Sequence, residues 1–287
     1  MAKIRIVADS SCDFPAEVAR ELGFSLVYLS VSFGDQHFKG DGDLSQREFF
    51  RMMKESPVLP KTSQPSPQDF VDEFWRDTDC TDIVCITVTS GSSGTYNSAC
   101  LARQMVMEDP SFTPRVHVVD SFNASIAIGL MAKAAAAMAK AGESVEAILA
   151  RLEEMRMRMS IYFVLDTLEY VRKGGRIGAV KAGIGGFLHI KPLLTFLRGL
   201  PKDVGITRSF NQARDALVKK FLERSADHSE VTIIHTDCPE KADSLAAELR
   251  RTLEDIRITI FEVGPVMGSY TGPGGIGLAF EEQTNRW

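Results

Sequence analysis

The sequence predicts an α/β protein of two domains, the first spanning residues 1–159 and the second residues 160–287. Three observations carry this. Strand and helix patterns alternate through the first half, the mark of a sheet covered by helices. The second half has a different rhythm, with a strand pair and single strands set between longer helical patterns. A chain of 287 residues also exceeds what one hydrophobic core usually serves.

In order, residues 3–8 form an apolar strand ending in Asp9-Ser10-Ser11. Asp13 is placed to cap a helix over 15–22, with Pro15 in its first turn and Gly23 closing it. Residues 24–33 are rich in Val, Leu, Tyr and Ser and read as one strand or two short ones. Ser45-Gln46-Arg47-Glu48 is a capping box that opens a helix to about Lys54. Four prolines between Pro57 and Pro67 then hold the chain extended and predict that it stays out of any sheet. Ser66-Pro67-Gln68-Asp69 starts the next helix, to about Asp77. A strand over 82–86 runs into a turn of glycines and hydroxyls, and a helical pattern follows from about Tyr96 to Met107. A strand over 116–120 and helices over 124–141 and 144–159 end this half.

The second half begins with a strand over 161–165 and a short helix over 167–173 stopped by Gly174-Gly175. A glycine-rich segment (Gly178, Gly183, Gly185, Gly186) leads to a strand pair over 190–198 and 205–209. A helix over 211–223, a strand over 231–235, a helix over 239–253 and a strand over 256–263 follow. The chain closes through the glycine-rich stretch Gly264 to Gly277.

Composition removes several function classes. With 44% hydrophobic and 25% charged residues, the chain has the make-up of a soluble globular protein. A net charge of −5 argues against nucleic acid or an anionic membrane as main partner. No apolar run is long enough to span a bilayer, and the Ala-rich 124–141 is interrupted by Lys133 and Lys140. The N-terminus enters a strand directly, without a signal-peptide pattern. The five cysteines are scattered with no C-x-x-C pair, which predicts neither a zinc site nor a disulfide framework and fits a reducing cytoplasm. His37, His117, His189 and His228 have no carboxylate or cysteine at ligand spacing. No metal or cofactor is expected.

The stretch that carries chemistry is Thr87 to Ala99, with Ser90-Gly91-Ser92-Ser93-Gly94-Thr95 between strand and helix. Unpaired amides and the positive end of a helix dipole converge at such a turn, and glycines allow close approach. It has no lysine, so it is not a P-loop, and it lacks the dinucleotide fingerprint. A small anionic head group such as a carboxylate suits it. A rival reading is a serine hydrolase, with Ser93 as nucleophile, His235 as base and Asp237 or Asp166 orienting the imidazole. Against it, the loop is not a G-x-S-x-G elbow.

Asp9-Ser10-Ser11, Thr62-Ser63-Gln64-Pro65-Ser66, Ser90 to Thr95, Leu165 to Ile177 and Gly272-Pro273-Gly274 are spaced in order along the whole chain. With these motifs the chain resembles the DegV family of bacterial fatty acid-binding proteins, some of which are the acyl-carrying subunit of fatty acid kinase. The resemblance implies a three-layer α/β/α N-terminal domain with a mostly parallel sheet, and a C-terminal α/β domain with a mixed sheet. Between them would lie a long-chain fatty acid, with the protein a lipid carrier rather than an enzyme and a kinase catalytic subunit its partner. The hydroxyls of Thr62 and Ser93 would hold the carboxylate, with Ser63 and Gly94 beside them. One position departs from the pattern: the family usually has a histidine two residues before Gly-Pro-Gly, and here it is Tyr270. Tyrosine donates a neutral hydrogen bond but supplies no cation near neutral pH. Arg172 and Arg208 are the candidate sources of positive charge.

A fatty acid is physically sufficient as a ligand. Each buried methylene contributes roughly 0.8 kcal/mol, so about 16 carbons gain ~10 kcal/mol or more before ordering costs. The candidate tail-lining residues are Ile126, Ile128, Phe163, Ile184, Phe187, Leu188 and Leu278. A purely structural or regulatory role predicts instead that no lipid co-purifies.

Overall fold

The computed structural model describes residues 3–176 and 190–285. Of the tail candidates, Ile184, Phe187 and Leu188 lie outside the described residues, as does the glycine-rich segment 178–186. The first half runs β1 (Ile4–Asp9), α1 (Ala16–Leu22), β2 (Phe24–Val27), β3 (Ser30–Phe33), β4 (Gln36–Phe38), α2 (Gly40–Asp43), α3 (Gln46–Glu55) and β5 (Lys61–Ser63). It continues with α4 (Pro67–Trp75), β6 (Asp82–Thr87), α5 (Thr95–Met107), β7 (Arg115–Asp120), α6 (Ile126–Lys140) and α7 (Val145–Arg158). The second half runs β8 (Met159–Val164), α8 (Glu169–Lys173), β9 (Lys191–Leu197), β10 (Leu200–Thr207), α9 (Phe210–Arg224) and β11 (Glu230–His235). It ends with α10 (Pro239–Thr252), β12 (Arg257–Glu262), α11 (Pro265–Thr271) and β13 (Ile276–Glu281).

The first sheet is four-stranded, in the order β2-β1-β6-β7, and every pairing is parallel. A parallel sheet is covered on both faces, so its central strands read as continuous apolar runs. β6 is buried at all six positions. On one face α4 and α5 pack Phe70, Phe74, Ala99 and Ala102. On the other, α1, α6 and α7 pack Ala19, Met131 and Leu152, completing three layers.

The second sheet has the order β10-β9-β8-β13-β11-β12 and is mixed: β11 and β12 are parallel and the other pairings antiparallel. Helices α9 and α10 cover one face with Leu217, Phe221, Leu245 and Leu249. The other face meets α6, and Ile161, Phe196, Ile234, Val263 and Ala279 join the same buried cluster as the first half. Helix α6 therefore lies between two sheets. Its run of Ala and its Gly129, which packs directly on the Phe14 ring, let both approach closely.

A third sheet, β4-β3-β5, is antiparallel and carries the proline-flanked segment. Here the sequence expectation fails. Pro60 and Pro65 leave Lys61, Thr62 and Ser63 with intact N–H groups, and Thr62 pairs with Val31 as an edge strand. Residues 24–33 form two strands, in different sheets. Asp13 does not cap α1, whose N-cap is Pro15. Its buried carboxylate instead accepts the Ser125 hydroxyl and the Gly264 amide (2.9 Å). The glycine-rich close of the chain also hides two elements, α11 and the central strand β13.

Candidate functional site

A cavity of about 340 Å³ opens among the end of β1, β5, the loop after β6, α8, β9 and α11. That volume falls within the roughly 300–1,000 Å³ usual for small-molecule sites. Its walls divide into a polar and an apolar cluster.

The polar cluster forms the mouth. The hydroxyls of Thr62 and Tyr270 hydrogen-bond each other, bringing together residues 208 apart in sequence. The Arg176 guanidinium lies over the Tyr270 ring at 5.0 Å and donates to the carbonyls of Ser92 (3.3 Å) and Gly174 (2.8 Å). Ser63, Gln64, Ser92 and Ser93 complete this side. Ser93 Oγ shares a hydrogen bond with Thr95 Oγ1 at 2.8 Å and accepts the Thr95 amide. Ser11 lines the cavity from the turn after β1, its amide and hydroxyl both given to Asp9. The other Asp9 oxygen accepts the Val88 amide at 2.6 Å, and burial pushes this carboxyl above its ordinary pKa.

The loop works differently from the expectation of converging free amides. Ser90 N–H points at the Asp120 carboxylate (3.3 Å), Gly91 N–H donates to Thr89 Oγ1, and the amides of Ser92 and Ser93 donate to Thr89 O. Four donors are thus spent inside the protein. Side-chain hydroxyls are what the loop presents to the cavity. The glycines serve packing: a side chain at Gly94 would collide with Gln64, and one at Gly91 with the Gly199 carbonyl. Gln64 Nε2 reaches Ser98 at 2.9 Å, tying the Thr62 strand to α5. The buried Thr89 donates to Gly199 O at 2.7 Å, so the β9–β10 hairpin tip clamps the loop from the other half of the chain.

The apolar cluster lies deeper. The Phe163 and Phe196 rings pack at a tilt of 31° with centroids 6.1 Å apart, and Leu165, Val171 and Leu194 pack beside Phe163. Helix α11 adds Val266 and Met267, and it also carries Tyr270 of the polar cluster. It is fixed at its start by the Asp13–Gly264 hydrogen bond and stopped by Gly272 at φ 65°, ψ 177°, a conformation open essentially to glycine. Behind this cluster is a second cavity of about 30 Å³, sharing Phe163, Leu165, Phe196, Met267 and Thr271 with the first.

The structure thus brings Thr62, Ser63, Ser93, Tyr270 and Phe163 to one cavity, with Gly94 just behind its wall. Other candidates lie elsewhere. Ile126 and Ile128 are on the faces of α6 that fill the core between the sheets, and Leu278 packs under α9 and α10. Arg172 is exposed on α8, and Arg208 is exposed before α9, its amide donating to Gln212. Among the described residues the cation at the mouth is Arg176. Its signal was the pair Gly174-Gly175, which ends α8 and turns the chain back over Tyr270. The hydrolase constellation does not assemble. His235 lines the small rear cavity, its Nδ1 accepting the Cys238 amide, and burial lowers its pKa. Asp237 pairs with Lys54 (2.5 Å), and Asp166 with Lys191. Among the described residues no group of three or more His, Cys, Asp or Glu could hold a metal ion, and no helix is long and apolar enough to cross a membrane.

The family described as "Uncharacterised protein, DegV family" matches residues 3–283. A DegV domain-containing protein of Caldanaerobacter subterraneus subsp. tengcongensis is 33% identical over 286 residues, 99% of this chain and all of that one. Among solved structures, a fatty acid-binding DegV family protein from Thermus thermophilus superposes with TM-score 0.87 at 30% identity, covering 98% of this chain and 100% of the other. A stearic acid-binding protein from Eubacterium ventriosum gives TM-score 0.87 at 30% identity, covering 99% of each chain.

Proposed function

The chain belongs to the DegV family, and on that premise we propose that it binds a long-chain fatty acid in the 340 Å³ cavity. The carboxylate sits at the mouth on the hydroxyls of Thr62, Ser93 and Tyr270, with Arg176 supplying the positive charge. The acyl chain runs inward past Phe163, Phe196 and Met267. The carrying observation is the division of one cavity into a hydroxyl-and-guanidinium end and an apolar end. An amphiphile with one anionic head fits that division, and methylene burial at roughly 0.8 kcal/mol each provides most of the affinity. The Thermus and Eubacterium proteins, each described as fatty acid-binding, support the ligand class.

The mouth also bears on a partner. Ser63 and Arg176 are exposed and Thr62 and Ser93 half-buried, so a bound carboxylate lies within reach of a second protein. We infer that the head group is presented to a fatty acid kinase for conversion to acyl phosphate, as in the members of the family that are kinase subunits. The 1–159 and 160–287 halves act as two domains whose junction is this cavity.

The test is to extract lipid from the purified protein for mass spectrometry, then titrate the delipidated protein with palmitate or oleate. A co-purifying long-chain acid and saturable rebinding are expected. Lipid-free protein that binds neither acid overturns the reading. For the partner, acyl phosphate should form only when kinase, ATP and the loaded protein are combined; its failure to form removes the presentation role.

A further inference from the structure

The rear cavity, about 30 Å³, has room as it stands for no more than the tip of an acyl chain. Ile161, Val164, Ile234, Val263 and Ile276 line it, so it is the kind of space a methyl terminus would fill. Five residues separate it from the large cavity, and they differ in freedom. Phe163 and Phe196 are held against each other, and Leu165 is fully buried in its own cluster with Val171 and Leu194. The Thr271 hydroxyl is tied back to the Met267 carbonyl at 3.1 Å. Met267 is only half-buried, its side chain has three rotatable bonds, and among the described residues no hydrogen bond holds its sulfur.

We propose that the Met267 side chain is a movable partition that sets acyl-chain length. Against the Phe163–Phe196 pair it closes the large cavity; swung aside, it joins the two cavities and admits the tail of a longer acid. The proposal rests on the fatty acid reading of the same cavity. It also makes Met267 a specificity-determining residue one turn of α11 away from the head-group contact Tyr270.

The experiment is a competition ladder of saturated acids from lauric to arachidic on delipidated wild type, Met267→Ala and Met267→Leu. Each added methylene that finds buried room tightens binding about fourfold. In the wild type this gain should stop at one length. Met267→Ala removes the partition and should extend the gain by two or more methylenes, raising the preference for the longest acid at least tenfold over wild type. Met267→Leu keeps the volume with one fewer rotatable bond, which holds the partition shut and lowers the ceiling; being nearly isosteric, it should fold. If both variants bind the ladder with the wild-type length profile, the partition is refuted while the fatty acid reading stands. If no protein, wild type included, binds any acid, the fatty acid reading fails first and takes the partition with it.

Discussion

The mouth and the deep end of the cavity are built by opposite means. At the mouth the polar groups hold one another: Thr62 is held by Tyr270, Ser93 by Thr95, Ser11 by Asp9, Arg176 by two carbonyls. At the deep end the walls are held by packing alone, through the Phe163–Phe196 pair and the leucines beside it. Hydrogen bonds fix direction, and apolar packing fixes shape. The mouth should therefore change affinity by the same factor for every acid, whereas the deep end should change how affinity varies with length.

The largest effect is expected where the two regions share an element. Gly272 stops α11, which carries Tyr270 and Met267, and a side chain there would meet the Tyr170 ring at a strained backbone position. Gly272→Ala should cost about 2–5 kcal/mol of stability, read as a fall in the denaturant midpoint, and should damage both ends together. A variant with wild-type stability would mean that α11 is not held as described.

Next come the hydroxyls. Ser93→Ala and Thr62→Ala each remove a hydrogen bond to a carboxylate, worth on the order of 1.5–3 kcal/mol, so binding should weaken roughly tenfold or more. The factor should be equal for palmitate and for shorter acids, with the melting temperature of the ligand-free protein nearly unchanged. A factor that varied with chain length would erase the distinction between the two regions. Tyr270→Phe should cost less, about 1 kcal/mol or fivefold, because the Tyr270 hydroxyl is shared between Thr62 and the ligand.

The smallest effect separates the two regions by pH. The donors at the mouth are hydroxyls rather than an imidazole, so affinity should be nearly flat between about pH 6 and 8.5, and Tyr270→His should add a tightening on the acid side. Behind the deep end, burial keeps His235 neutral by lowering its pKa from the ordinary 6.5. Its contribution to stability is complete above the unfolded value of about 6.5 and is lost as pH falls below it, since the unfolded chain then takes up a proton that the folded one refuses. Melting curves of wild type and His235→Asn should diverge below that pH. Parallel curves would show that His235 does not titrate on unfolding.

This contrast also explains what the sequence disclosed. The loop from Ser90 to Thr95 is contiguous, and its turn residues between a buried strand and a helix mark a polar site without any structure. The Thr62 segment was visible as a motif, but its pairing with β3 was not, because a three-residue strand between prolines carries no signal of its own. The deep end was hardly legible. Phe163, Leu194, Phe196 and Met267 come from three elements, and nothing local distinguishes a residue that lines a cavity from one that fills a core. Ile126 and Leu278 have the same composition and the opposite fate. Strand β13 was missed because Ile276-Gly277-Leu278-Ala279-Phe280 follows a run of glycines and has no period beyond a short apolar run. Arg172 and Arg176 lie in one motif and are alike in sequence, since only the turn at Gly174-Gly175 decides which arginine faces Tyr270.

The account stands most directly on where the head group lies. A crystal structure of the delipidated protein re-loaded with palmitate should show the carboxylate within hydrogen-bonding distance of the Thr62 and Ser93 hydroxyls, the Thr62–Tyr270 bond opened or shared, and the chain passing between Phe163 and Met267. A carboxylate at the rear near His235, or a palmitate bound outside this cavity, would contradict it.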